Sequence, residues 1–300
     1  MDEDKENLMK QTPNSYSDTQ YTTMRTAFLT AFPKIFTNIE FSIDIFSNMK
    51  ELAIRNGFSF SPNLFSNEMS VEIEARHKAL NRALDKYISK DVLVIEIAAG
   101  LSPRHLQYSD YNYYELDFNP IIDIKKNLYT TMGYEFLNNS LYGLDITDVE
   151  ALHKCLNNII KQTNYSKIII LNEGLFWYLT KNQIKNIANE FINSLLSTNW
   201  IWITSDCPTT DKNESAYRKI ISDSAKVTRG TFLDYNDFLL FFKDIGLNNK
   251  RYKLSDFLDY KDLSSATFFS FDEHDTIMKI NTYTDIAILC NKRNNKEENE

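Results

Sequence analysis

The chain has 300 residues, 43% hydrophobic and 25% charged, which suits a globular protein with a sizeable core and excludes a disordered or fibrous chain as a whole. Lysine and arginine number 33 against 41 acids, a net charge of −8, which argues against nucleic acid as a partner because phosphate contacts need a clustered positive face. Cys155, Cys207 and Cys290 are too few and too scattered for a disulfide framework or a cysteine-rich zinc site.

Residues 1–18 are polar, acidic at the start and lack the apolar core of a signal peptide. They and residues 291–300 are expected to be disordered tails. No apolar run approaches the roughly 18 residues of a membrane span, so a cytoplasmic protein without a membrane partner is expected. From 19 to 90 the pattern is mainly helical and reads as an N-terminal extension. Phe28, Phe32 and Ile35 recur at helical spacing, as do Ile43, Phe46, Met49 and Leu52. A further helix is predicted over Val71–Tyr87, with Ile73, Leu80 and Leu84 on one face.

At Asp91 the period changes. Val92–Ala98 is a β-branched apolar run, as expected of a strand buried on both faces. Comparable runs follow at Tyr113–Leu116, Ser140–Leu144, Lys167–Leu171 and Trp200–Thr204, with helical stretches between them at Asn119–Thr131, Thr147–Lys161 and Thr180–Ser197. Phe238–Ile245 precedes two more strand-like runs, Asn248–Leu254 and Tyr283–Leu289. No Pro/Gly/Ser linker divides the chain. The pattern predicts one α/β domain over 91–290, a Rossmann-like, mostly parallel seven-stranded sheet with helices on both faces.

Open parallel sheets bind ligands at the carboxyl ends of their strands. Acids stand at or just past four successive predicted strands: Glu96, Asp117, Asp145 and Glu173. A pyrophosphate wants a glycine-rich turn instead. The dinucleotide fingerprint has three glycines after the first strand, whereas Glu96-Ile-Ala-Ala-Gly100-Leu-Ser-Pro-Arg104 has one. Glycine is scarce, seven in the whole chain, so Gly100 marks a place where the backbone needs it. An acid rim without a phosphate turn suits a ribose-bearing ligand with cationic groups, which describes S-adenosylmethionine.

Glu-Ile-Ala-Ala-Gly-Leu-Ser-Pro-Arg (96–104), Tyr-Tyr-Glu-Leu-Asp-Phe-Asn-Pro (113–120) and Asn-Glu-Gly-Leu-Phe-Trp-Tyr-Leu-Thr (172–180) together resemble the leucine carboxyl methyltransferase-like family. That family belongs to the class I S-adenosylmethionine-dependent methyltransferases and includes polyketide O-methyltransferase-like members. The resemblance runs from about Glu74 to Thr180 and is vague beyond Asp206. It implies O-methylation of a carboxylate or hydroxyl on an unidentified acceptor, small molecule or peptide, with S-adenosylmethionine as cofactor, S-adenosylhomocysteine as product and no metal. By the same resemblance Gly100, with Ala98 in its loop, lets the methionyl part lie against the backbone, and Glu96 polarises that loop. Asp117 takes the ribose hydroxyls, Asp145 with the Ile146 amide holds the adenine, and Glu173 sits near the amino-acid end. Arg76 matches an arginine that binds the cofactor carboxylate and faces the acceptor, and Tyr178 a tyrosine of the acceptor pocket. A basic residue that the family can place near the cofactor from its first helix has no clear equivalent around Thr26–Lys34. The stretch Asp206–Gly230 is expected to cover the acceptor pocket.

Other readings compete residue by residue. A lone Asp after a strand commonly serves a turn or cap, and a helical arginine is commonly solvated. Gly100-Leu-Ser102-Pro-Arg104 is one glycine short of the nucleophile elbow of serine hydrolases, and Ser102-Pro103 also reads as a helix N-cap with proline at the first position. The histidines His77, His105, His153 and His274 show no metal spacing and are read as non-catalytic. Phe176-Trp177-Tyr178 reads as core and pocket wall. Two functions outside methyl transfer therefore stand as alternatives: a cofactor-binding module without turnover, and a serine hydrolase centred on Ser102.

Overall fold

A computed structural model describes residues 18–55, 66–208, 231–270 and 285–291; both predicted tails, apart from Asp18 in the first helix and Asn291 in the last strand, and 209–230 of the expected acceptor cover lie outside the described residues. Helices α1 (Asp18–Ala31), α2 (Ser42–Arg55) and α3 (Asn67–Asp85) precede the first strand. The strands are β1 (Val92–Ile97), β2 (Asn112–Asp117), β3 (Leu141–Gly143), β4 (Lys167–Asn172), β5 (Asn199–Cys207), β6 (Leu247–Lys253) and β7 (Asp285–Asn291). Between them run α4 (Arg104–Gln107), α5 (Asn119–Thr131), α6 (Val149–Gln162), α7 (Lys181–Ser194) and α8 (Tyr235–Asp244). Each predicted strand is present within a few residues of its expected bounds.

All seven strands form one sheet in the order β3-β2-β1-β4-β5-β7-β6. β1 to β5 are mutually parallel, and β7 is antiparallel to both its neighbours, β5 and β6. The fold is thus a Rossmann-like α/β sheet whose last strand turns back into the sheet ahead of β6. Such an insertion depends on which edge is already filled, so hydropathy along the chain does not reveal it.

The period-2 alternation of β1 divides its side chains between two cores. Leu93, Ile95 and Ile97 point to the side covered by α6, α7 and α8, where Leu156, Phe191, Trp202 and Phe242 are fully buried. Val92 and Val94 point the other way, onto Val71, Ala75, Ala79 and Leu80 of α3. α3 carries small residues on its sheet-facing side and lies deep; Ile73, Leu80 and Leu84 are all fully buried. A third core joins Phe28 and Met49 to Leu101, Leu106 and Ile121, so α1 and α2 lie over the β1–α4 loop and α5. In α2 one predicted position is corrected: Ile43 is 60% exposed and Ile45 takes its inward place, because the helix phase is set by Phe46 and Met49. α7 begins at a capping box in which Thr180 and Gln183 satisfy each other's backbone amides.

Candidate functional site

The strand order reverses between β1 and β4: β1 leads outward to β2 and β3, and β4 leads to β5. At such a switch point the connections leave in opposite directions and open a crevice at the carboxyl ends of the strands. Alternation places Glu96 on the same side as Val94, and Glu173, two residues past Leu171, follows that residue's side. Both acids therefore face α3, which contributes Arg76 and His77.

Arg104 fills the space between the two acids and is fully buried. Its Nη1 donates to Glu96 Oε1 at 2.7 Å, its Nη2 donates to Glu173 Oε2, and its Nε donates to Asn81 Oδ1 at 2.7 Å. Tyr113 donates its hydroxyl to the other Glu96 oxygen at 2.6 Å. Arg76 Nε donates to Glu173 Oε1 at 2.9 Å, and His77 Nδ1 lies 3.8 Å from Glu173 Oε2. Burial alone would raise the pKa of Glu173, but Arg104, Arg76 and Lys34 outweigh it and hold the carboxyl well below its ordinary range. Glu96 goes the other way, raised by burial against the pull of Arg104.

Lys34, the last residue of the stretch in which the sequence offered no clear basic equivalent, brings a further cation to this cluster. It stands in the short 3-10 turn Phe32–Phe36 directly after α1 and is buried. Burial lowers its ammonium to about 8, with the charge of Glu173 opposing the fall. The available signal was a single charge inside the apolar string Phe-Pro-Lys-Ile-Phe, which in an exposed turn would mean little. His77 belongs to the crevice too. Burial, then Arg104 and Lys34, keep its ring well below the usual histidine range and hence neutral.

The loop after β1 is held in an uncommon backbone conformation. Ala98 has φ of 51° and Gly100 φ of 52°, the left-handed region that side chains rarely adopt. The nearest atom to a Cβ built on Gly100 would be the Ala27 side chain of α1, at 3.9 Å. Gly100 N donates to Asp117 Oδ2 and Phe118 N to Asp117 Oδ1, both at 2.7 Å. Burial raises Asp117 to about 6 against those two amides. Asp117 thus ties the end of β2 to the Gly100 loop, facing the crevice from the second strand.

The loop after β4 has an anchor that sequence reasoning missed. Asp206, near the end of β5, accepts from the amides of Gly174, Leu175 and Phe176 at 2.6, 2.7 and 2.9 Å, and from Asn172 Nδ2 at 2.6 Å. Gly174 takes φ of 74° there, and the 3-10 turn Phe176–Tyr178 follows. Tyr178 hydrogen-bonds Thr26 of α1 and feels the Arg76 charge. Arg76 and Tyr178, about 100 residues apart in sequence, therefore share one end of the crevice.

Asp145 stands apart from this cluster. It is exposed, and its Oδ1 accepts from Thr147 N and Oγ1 at 2.9 and 2.7 Å, while Ile146 beside it is buried. Ser102 is not the helix cap that its sequence suggests. Pro103 itself flanks α4, and Ser102 Oγ accepts from Arg104 N and Nη1, each at 3.3 Å. Among the described residues no histidine hydrogen-bonds Ser102. Ser102→Ala should cost about 1 kcal/mol in denaturant unfolding, and a fluorophosphonate probe should leave the wild-type serine unlabelled. Nor is any group of three His, Cys, Asp or Glu placed to hold a metal ion among the described residues, and no described helix is long and apolar enough to cross a membrane.

No family model matches the chain, and no curated protein matches it. Several solved structures are similar to it in part. The mitomycin 7-O-methyltransferase MmcR is 9% identical with a TM-score of 0.43, over 84% of this chain and 68% of its own. OxaC, solved with S-adenosylhomocysteine and oxaline, is 13% identical with a TM-score of 0.45, over 80% of this chain and 56% of its own. The geranyl diphosphate C-methyltransferase of Streptomyces coelicolor A3(2), solved with magnesium, geranyl diphosphate and S-adenosyl-L-homocysteine, is 11% identical with a TM-score of 0.44, over 75% and 83%.

Proposed function

We propose that this chain is an S-adenosylmethionine-dependent O-methyltransferase acting on a carboxylate or hydroxyl of a small acceptor. The observation that carries the reading is the convergence, at one switch-point crevice, of a left-handed glycine loop, Asp117, Glu173, Arg76 and Lys34. The residues fit that cofactor group by group. Among the described residues other than its chain neighbours, only Ala27 lies within 4 Å of the place a side chain would occupy at Gly100, so a ligand can lie against bare backbone there. Asp117 offers a carboxylate to a diol, Glu173 an anion to an ammonium, and Arg76 with Lys34 two cations to a carboxylate. The order of the family-like motifs supports placement in the leucine carboxyl methyltransferase-like group.

Bound S-adenosylmethionine supplies a methyl group activated by a sulfonium. What the protein adds is position: Arg76 and Tyr178 align the acceptor oxygen, and holding two reactants in line can remove several kcal/mol of barrier. A carboxylate acceptor is already ionised at neutral pH and needs no base. Titration calorimetry tests the reading: S-adenosylhomocysteine should bind to the purified protein, and NAD should not. NAD binding without response to the adenosyl ligand would sink it.

A further inference from the structure

We propose that Arg104 is a positioning residue of this site: it clamps the ends of β1 and β4 together and holds Glu173 ionised and aimed at the cationic amino-acid end of the bound cofactor. The inference rests on the methyltransferase reading and assigns a part that neither the motifs nor the ligand chemistry names. Arg104 is fully buried, and each arm of its fork is used on a different element: Glu96 of β1, Glu173 after β4 and Asn81 of α3. Those two acids stand on either side of the switch point, so the guanidinium bridges the crevice floor. Both Glu173 oxygens are occupied, Oε1 by Arg76 and Oε2 by Arg104. Arg76 is 12% exposed and can turn toward a ligand; Arg104, at 0%, has no such freedom. When Arg76 exchanges partners on ligand binding, Arg104 is what keeps Glu173 in place. A lysine could supply the charge but not the planar fork that reaches two carboxylates at once.

The groups that face Glu173 are Arg104 from α4, Arg76 and His77 from α3, and Lys34 from the turn after α1, with Glu96 of β1 behind Arg104. Of these, Lys34 changes charge near pH 8, on the alkaline side, and His77 stays neutral. Asp117 titrates at about pH 6 but serves the ribose end. A ratio of two ligands that share the ribose and differ in the amino-acid part therefore cancels its contribution and, on the acid side where Lys34 keeps its charge, follows Glu173.

The test uses S-adenosylhomocysteine and 5′-methylthioadenosine, which keeps the adenosine and sulfur but lacks the amino-acid part, titrated into the wild-type chain and into Arg104→Lys and Glu96→Gln. In Arg104→Lys the affinity for S-adenosylhomocysteine should fall by roughly thirtyfold or more, while that for methylthioadenosine stays within about threefold. The acid-side loss of the affinity ratio should begin at least about one pH unit higher than in the wild type, because Glu173 is no longer held as anion. Glu96→Gln, which loosens the other end of the clamp and keeps its shape, should show the same ligand selectivity with a smaller loss, and decides the matter if Arg104→Lys does not fold. Equal losses for both ligands, or an unchanged ratio at every pH, would show that Arg104 only supports the fold. If the wild-type chain binds neither ligand, the methyltransferase reading itself fails, a different result from a wild type that binds both and a variant that loses both.

Discussion

Glu173→Ala should lower the stability of the unliganded protein by about 3–5 kcal/mol, the usual cost of removing one partner from a buried ion pair. The substitution leaves Arg104, fully buried, with Glu96 as its one remaining carboxylate partner, and strips Arg76 and Lys34 of the anion that they share. Urea unfolding with several probes is the measurement, since a protein of this size needs the two-state assumption checked. The same residue sets an acid limb. Its native pKa lies below the ordinary 4.5, so its contribution is fully present above that value and is lost as pH falls through the lower native one. Wild-type stability should therefore decline below about pH 4.5, and Glu173→Gln should flatten that decline. A Glu173→Ala protein as stable as wild type would mean that the three cations find other partners at no cost.

Asp117→Asn should weaken S-adenosylhomocysteine at least about tenfold, because a carboxylate on a diol makes charge-assisted hydrogen bonds that an amide cannot reproduce. The amide also forfeits one of two anchoring bonds: where Asp117 accepts from both Gly100 N and Phe118 N, asparagine has a single acceptor oxygen. The pH signature has the opposite sign to that of Glu173. Asp117 is raised from 3.8 to about 6 in the fold, so the stability its protonation brings is fully present below 3.8 and is lost as pH rises through 6. Replacement by asparagine should remove that downward slope between pH 4 and 6. Unchanged affinity, with the slope intact, would make Asp117 a turn residue without a part in binding.

Much of this arrangement could be read along the chain. The short β-branched runs at Val92, Lys167 and Trp200 are strands because both of their faces are buried and a continuous apolar run records that. Glu96 stood out because a charge in such a run needs a partner, and Gly100 because glycine is rare here. Thr180 and Gln183 form their cap from local chemistry alone. In each case the deciding interactions lie within a few residues, or burial leaves its mark on composition.

Tertiary structure decided what depends on meeting across the sheet. The cations that face Glu173 are remote: it lies 97 residues from Arg76 and 69 from Arg104. A rim that reads as bare acid along the sequence is in the fold largely neutralised, with Asp145 alone turned to solvent on its own Thr147. Lys34 and His77 looked ordinary because nothing near them in sequence carries the charges that shift them; their surroundings come from β4 and α4. Asp206, expected to open the acceptor cover after the fifth strand, lies within β5 and holds three amides of another loop. The sequence by itself determined the sheet and marked the acids that the strands deliver to one end. Which cation faces which acid was settled only when α3 and the turn after α1 closed over that end, because Coulomb interactions and desolvation act through space and carry no periodicity along the chain.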